Sequence, residues 1–461
     1  MDKIGAGYLD QSKNIADVPK AASRKEATPS AAKDSVEIGK QPVDIEAKPH
    51  KKWLFLNYVA ADCNLTEFQM KNLDQQELVG SDKNTHIAAF IDIGDKTNPF
   101  QEGWQDCRQY YITTDTTAGK LKSELVKEYG STDMASPNTL RDFVVDATKR
   151  YPADHVALIF NDHGGGFTGA MSDDGSGGFM TVPQIRQALE EAEKITGKKI
   201  DIVGMDACLM GETEVAYELK DTAKYLLASE ESEGGPGWAY DSMLGGKTIG
   251  TAIQKVQEEL KLGHRIDVGP EEFSKIVVDI NREHSKDIPT FSATDLTRME
   301  EVKVASDALA KAIKNSNDKD SIRAAIEKSE NYGGGWLPYR DIRDAVDLGN
   351  KLIESSSDEK VKAAAKDMID AVNKAVMANE NDPESHPESH GLSIYAPTSN
   401  ATQVGYQYGD LKFAQQTEWD EALISLYKPS SGGDEGSSQP VKDVPDVWPD
   451  GTPRTAKKSE H

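Results

Sequence analysis

Six short apolar runs mark the first half of the chain, at residues 53–59, 87–93, 110–114, 156–160, 200–205 and 225–228. None alternates strictly between apolar and polar residues. Runs of that kind suit strands buried on both faces, the mark of a mainly parallel sheet covered by helices. Amphipathic stretches lie between them. Residues 136–149 put Leu140, Phe143, Val144 and Ala147 on one helical face. A second helix starts at Thr181, whose spacing to Gln184 fits a capping box, and continues through Ile185, Ala188, Leu189 and Ala192. Repeated strand and helix units of this length imply right-handed crossovers, so the fold class expected is α/β.

After residue 244 the pattern turns helix-dominated. Stretches at 251–262, 270–282, 296–314, 320–328, 339–355 and 358–379 carry apolar spacing near 3.6 residues, and short β candidates return at 290–294 and 391–397. This half is expected to pack on the first sheet as a helix-rich extension. Residues 1–50 and 429–461 are rich in small, charged and proline residues and cannot bury enough apolar surface to offset ordering entropy. The expected organisation is a disordered tail (1–50), a sheet-bearing core (51–245), the extension (246–428) and a second disordered tail (429–461).

Composition narrows the function. The formal net charge is −25, which argues against nucleic acid as the principal partner, because such a partner needs a basic footprint. No stretch reaches the roughly 18 to 20 apolar residues of a membrane span, and no signal-peptide core is visible. A cytoplasmic location is the default expectation, with export by another route left open. The chain has 3 cysteines, too few for a disulfide framework at this size.

One of them, Cys208, follows the run at 200–205 as Asp206-Ala207-Cys208, and His163 follows the run at 156–160 as Asn161-Asp162-His163, with Gly164, Gly165 and Gly166 behind it. In a parallel sheet both would emerge at the carboxyl-end edge, where open α/β sheets place their chemistry. A thiol becomes a nucleophile as thiolate, and a nearby histidine helps by taking its proton. Taken singly, each residue has a blander reading, a buried small apolar side chain or a satisfied histidine. Cys63 follows the first strand, and Cys107 falls in what reads as a polar loop.

The segments LIFNDHGGG (158–166), VGMDACLMG (203–211), FLNYVAADCNL (55–65) and HGLSIYAP (390–397) resemble the clostripain-type cysteine peptidases, relatives of caspases, over about residues 51–428. The resemblance implies a caspase-like fold and hydrolysis of peptide bonds after Arg or Lys in a peptide or protein substrate. It implies Cys208 as nucleophile, His163 as acid/base in a dyad, and the N–H groups of Gly164 and Cys208 as oxyanion donors. Asp206 matches the acidic position of the pocket for a basic side chain, although a carboxylate there also reads as a cap on the following helix. The segment LLASEESEGGPGW (226–238) implies a cleft wall, with Ser229 and Glu230 at a strand end and Trp238 either flanking the peptide or sitting in the core.

Two departures from the family pattern stand out. Several relatives cut themselves after a basic residue in the loop following the histidine strand, but residues 168–181 contain no Lys or Arg. Lys194, Lys198 and Lys199 lie further on, in or after the predicted helix. Cys63 stands where relatives commonly carry Asn, a change expected to affect packing. The sequence requires no cofactor. The resemblance implies calcium as an aid to activity, with Asp162, Asp173 and Asp174 as candidate ligands, while the spacing is not that of an EF-hand and a solvated acidic loop is the simpler reading. His386 and His390 are separated by Pro387, which argues against a zinc helix, and the glycines at 333–335 lack the Lys-Ser/Thr of a phosphate loop. Two other functions stay open, an inactive caspase-like binding protein and a cysteine transpeptidase.

Overall fold

Strand β1 (Lys51–Ala60) lies in the middle of a sheet and divides its side chains between two cores. Leu54, Leu56 and Tyr58 enter one, Trp53, Phe55 and Val59 the other. That is why its sequence reads as a continuous apolar run. The computed structural model describes residues 46–94, 104–238, 240, 268–281, 288–333, 341–398 and 408–427. The expected helix at 251–262 and the expected tails, apart from residues 46–50, lie outside them.

The first half runs through α1 (Thr66–Glu77), β2 (Thr85–Asp92), β3 (Cys107–Tyr111), β4 (Glu124–Gly130), α2 (Pro137–Arg150), β5 (Ala153–Asn161), a hairpin of β6 (Ala170–Asp173) and β7 (Gly178–Met180), α3 (Val182–Thr196), β8 (Ile202–Asp206), α4 (Thr213–Leu219) and β9 (Tyr225–Ala228). The second adds α5 (Pro270–Asn281), β10 (Thr290–Asp295), α6 (Met299–Asn315), α7 (Lys319–Lys328), β11 (Asn331–Tyr332), β12 (Ile342–Asp344), α8 (Ala345–Ser355), α9 (Glu359–Ala375), β13 (Val376–Asn381), β14 (Ser393–Tyr395), α10 (Lys412–Gln416) and α11 (Trp419–Leu426). Nine strands form the main sheet in the order β13-β10-β9-β8-β5-β1-β2-β3-β4. Its centre, β9-β8-β5-β1-β2, is parallel, and antiparallel pairs close both edges. Helices cover both faces, α2 and α3 against the first core and α1 and α5 against the second. The expected α/β class, a mainly parallel sheet covered on both faces, is the fold.

Local chemistry explains the helix boundaries that were legible. In α3 the Thr181 hydroxyl accepts from Gln184 N at 3.4 Å, Gln184 Oε1 accepts from Thr181 N at 2.9 Å, and Gly197 closes the helix at φ 68°. Three expectations need correction. The helix expected at 358–379 stops at Ala375, because Val376–Asn381 pairs antiparallel with β10. The helix expected at 339–355 begins only at Ala345, where Asp344 caps it by accepting from Asp347 N at 2.6 Å. Cys107 lies inside β3 and is buried, whereas the sequence placed it in a polar loop. In the second half, β10 and β13 continue the main sheet beyond β9.

Candidate active site

The register of β5 and β8 pairs Asn161 with Asp206. Two residues further along each chain, His163 and Cys208 therefore leave the sheet side by side at its carboxyl edge. The bond from Asp162 N to Asp206 O, 3.2 Å, carries the pairing past the strand ends. Gly164 then meets the nucleophile's peptide. A Cβ at Gly164 would stand 2.3 Å from Cys208 O and 3.0 Å from Cys208 N, so only glycine lets the two backbones approach. Met171 N bonds His163 O at 3.2 Å and Gly165 N bonds Gly169 O at 2.9 Å, which leaves the intervening Gly164 N–H out of that ladder. After Cys208 the chain turns through Leu209 in the left-handed region, φ 67°, a conformation that costs a side-chain-bearing residue about 1–2 kcal/mol. The bond from Leu209 N to Glu231 O, 3.2 Å, holds it there. Strain of this kind collects where the fold must aim a side chain.

His163 Nε2 lies 2.6 Å from Asn64 Oδ1. Behind it the buried Asp162 carboxylate accepts from the Cys63 thiol at 3.2 Å, from Ser172 Oγ at 2.9 Å and from the main-chain N–H groups of Ser172 and His163. The Cys208 thiol bonds the main chain of Glu233, accepting from its N–H at 3.3 Å and donating to its carbonyl at 3.7 Å. Burial pushes the Cys208 thiol up, and the charges of Glu231 and Asp206 add to that, against the Glu233 N–H. Burial holds His163 below the ordinary imidazole value, opposed by Asp174. Both shifts favour the neutral forms, thiol and imidazole.

Asp206 is buried and does not cap the following helix. Its carboxylate accepts from Asn161 Nδ2 at 2.5 Å, Trp238 N at 3.0 Å and the Tyr240 hydroxyl at 3.0 Å. Gly237 lies over it at φ 62°, where a Cβ would come within 2.5 Å of Asp206 Oδ1. Glu233 shares the site. Its carboxyl bonds that of Asp206 and accepts from Trp238 Nε1 at 3.4 Å, and its Oε2 is sealed from solvent without a hydrogen bond. Burial raises Asp206 to about 6 and raises Glu233 further, with the Asp206 charge adding to the effect. Two buried carboxyls in contact hold a proton between them.

Two residues expected in the cleft wall face the core, and Trp238 takes the second of its two expected places. Ser229 is buried, its hydroxyl 2.9 Å from Thr290 Oγ1, and Glu230 accepts from Gly391 N at 2.9 Å beside Asp344. Their side chains face the core, because β9 is buried on both faces up to its end. The Trp238 ring is likewise in the core, packed on Gly204 and edge-on to Phe291 with centroids 4.9 Å apart. What the segment gives the cleft is its main chain and Glu233. Asn64, Asn161, Glu233 and Tyr240 escaped the sequence reading. Asn64 alone had a usable signal, as it follows the β1 end at the same sheet edge.

The candidate calcium ligands Asp162 and Asp173 accept from different parts of the chain. Asp173 accepts from Met134 N at 2.9 Å and Ser176 N at 2.7 Å, and Asp162 holds the groups named above. Among the described residues these carboxylates and Asp174 do not converge as a cation cage, so they do not fit the ion. Residues 168–181 are taken up by the hairpin, tied down by the bond from Asp174 N to Asp62 O at 2.9 Å. No helix among the described residues is long and apolar enough to cross a membrane.

The model of the clostripain family matches residues 57–425. Clostripain of Hathewaya histolytica is 25% identical over 413 residues, covering 77% of this chain and 77% of its own. A secreted C11 cysteine protease from Bacteroides thetaiotaomicron, solved with an irreversible peptide inhibitor, has a TM-score of 0.57 at 16% identity over 80% of this chain and 99% of its own. An inactive zymogen C11 protease from Parabacteroides distasonis has a TM-score of 0.56 at 18% identity, over 83% and 100%. At these identities the structures speak to the fold.

Proposed function

Because the chain belongs to the clostripain family and is a cysteine peptidase, we propose that it cleaves peptide bonds after Arg or Lys with Cys208 as nucleophile and His163 as acid/base. The observation that carries this reading is the register of β5 and β8, which delivers both residues to one edge with Gly164 against the Cys208 peptide.

The Cys208 thiol passes its proton to His163 as sulfur attacks the carbonyl carbon, and the Gly164 and Cys208 N–H groups receive the oxyanion. The imidazolium gives that proton to the leaving amine when the C–N bond breaks, forming the acyl-enzyme. Water, deprotonated by the now neutral imidazole, attacks the thioester, and the thiol leaves with the proton. Asn64 fixes the imidazole by its bond to Nε2 and acts as a positioning residue.

The basic side chain is assigned to Asp206 and Glu233. Both carboxyls are buried, Asp206 on the strand-end side and Glu233 on the following segment. A guanidinium or ammonium would replace their shared proton and pair with the carboxylate, a charge-assisted contact. The test is covalent. A peptidyl arginyl chloromethyl ketone, given to the reduced protein and followed by mass spectrometry of tryptic fragments, should alkylate Cys208. Alkylation at Cys63 or Cys107, or none in a folded sample, contradicts the assignment.

A further inference from the structure

Cys63, Asp162 and His163 each turn one ligand-type atom to a common point, and those atoms all lie within 4.8 Å of one another. Among the described residues no other set of His, Cys and carboxylate groups converges in this way. We infer that these three side chains form a site for a thiophilic divalent cation such as Zn2+, and that the bound ion withdraws His163 from catalysis. The inhibitory part rests on the proposed role of His163. The binding part does not.

A mixed sulfur, nitrogen and oxygen donor set suits Zn2+ and excludes calcium, which takes oxygen ligands in larger number. Bonds of about 2.0–2.3 Å to a tetrahedral Zn2+ place neighbouring ligand atoms roughly 3.5 Å apart, so the set needs only a small contraction. Cys63 Sγ and Asp162 Oδ1 already stand at 3.2 Å. A fourth oxygen is at hand in Asn64 Oδ1, 2.6 Å from His163 Nε2. The way in is from that side, since Asn64 is exposed and His163 half-buried, whereas Cys63 and Asp162 are buried. On binding, the Cys63 thiol proton goes to solvent and a metal–sulfur bond takes its place, with no change of oxidation state. The site shares its histidine with the proposed dyad but takes its sulfur from Cys63, and Cys208 is not in the converging set.

The first arm uses the full chain with Cys208→Ala, which removes the proposed nucleophile, titrated with Co2+ alone. One equivalent should raise a near-ultraviolet thiolate-to-cobalt band, and the band should vanish in Cys208→Ala/Cys63→Ser. The second arm measures peptidase activity against Zn2+. Cys63→Ser and Cys63→Ala should keep kcat/KM within about twofold of the parent while raising the inhibitory Zn2+ concentration at least about tenfold, the usual scale for removing a metal-site group. No band in Cys208→Ala, a band that survives in the double variant, or unchanged zinc inhibition without Cys63 would overturn the site. A chain that binds Co2+ through Cys63 yet hydrolyses no peptide would support the site and count against the catalytic reading.

Discussion

At the scale of single residues, the site depends on which atoms are permitted to touch. Gly164 lies so close to Cys208 that one methyl group would displace the nucleophile's peptide. Gly164→Ala is therefore expected to lower kcat at least about 100-fold, the scale of losing one oxyanion donor, with arginyl ketone labelling of Cys208 slowed in parallel. Asn64→Ala frees the imidazole to rotate. We expect kcat to fall about tenfold, the worth of a hydrogen bond to a group that becomes charged, with KM little changed, an altered acid limb of the pH profile and partial rescue by Asn64→Gln. The basic pocket has its own signature. Asp206, raised to about 6 by burial, accepts a cation only when ionised, and its ionised fraction falls as pH drops. For an arginyl substrate kcat/KM should decline as pH falls through about 6, and Asp206→Asn should lower it at all pH values and erase that limb. A limb that persists in Asp206→Asn would assign the titration to another group.

At the scale of elements, the parallel centre was the legible part because burial on both faces leaves the same trace in sequence as in space. The alternation of β1 between two cores and the capping box of α3 were read directly. What escaped was held by contacts that periodicity cannot register. Helix α1 buries Gln69, whose amide bonds Ala60 O at 3.1 Å and Asn161 O at 2.9 Å and so ties the ends of β1 and β5 together beneath the site. A polar residue used in that way looks like surface in one dimension. Edge strand β4 is mostly exposed and charged, and β13 continues a helical pattern into a strand because β10 offers it an edge. The same limit explains why Ser229 and Glu230 face the core. The strand-end pattern located the segment correctly, but which side chain faces the cleft is set by β10 behind it and by the glycines that fold it over Asp206. The hairpin at 168–181 offers no basic residue and is hydrogen-bonded in place. Activity should therefore appear in the intact chain, as judged by mass spectrometry of a sample at full turnover. Activity found only in cut material would contradict this.

At the scale of the whole molecule, the two halves act as one body because they share a sheet and buried carboxyls. Glu212 and Glu214 flank the start of α4. Glu212 Oε2 accepts from Phe167 N at 2.5 Å, while Glu214 Oε1 accepts from the Tyr408 hydroxyl at 2.6 Å and from Tyr395 N at 3.2 Å, both in the second half of the chain. Burial raises both carboxyls, Glu214 to about 7. Their folded-state values exceed the unfolded ones, so the protonated pair contributes stability fully below about pH 4.5 and loses it as pH rises through 7. Calorimetry should find a melting temperature that falls from about pH 5 to about pH 7, and Glu214→Gln should flatten that fall. An equal slope in the variant would show that the pair does not carry the effect. The central claim remains chemical and is met most directly by turnover. Wild type and Cys208→Ala would be offered a matched set of fluorogenic peptides with Arg, Lys, Asp or Asn before the scissile bond. The account predicts hydrolysis of the Arg and Lys peptides by the wild type alone. Hydrolysis of the acidic or amide peptides in preference, or turnover that survives Cys208→Ala, would contradict it.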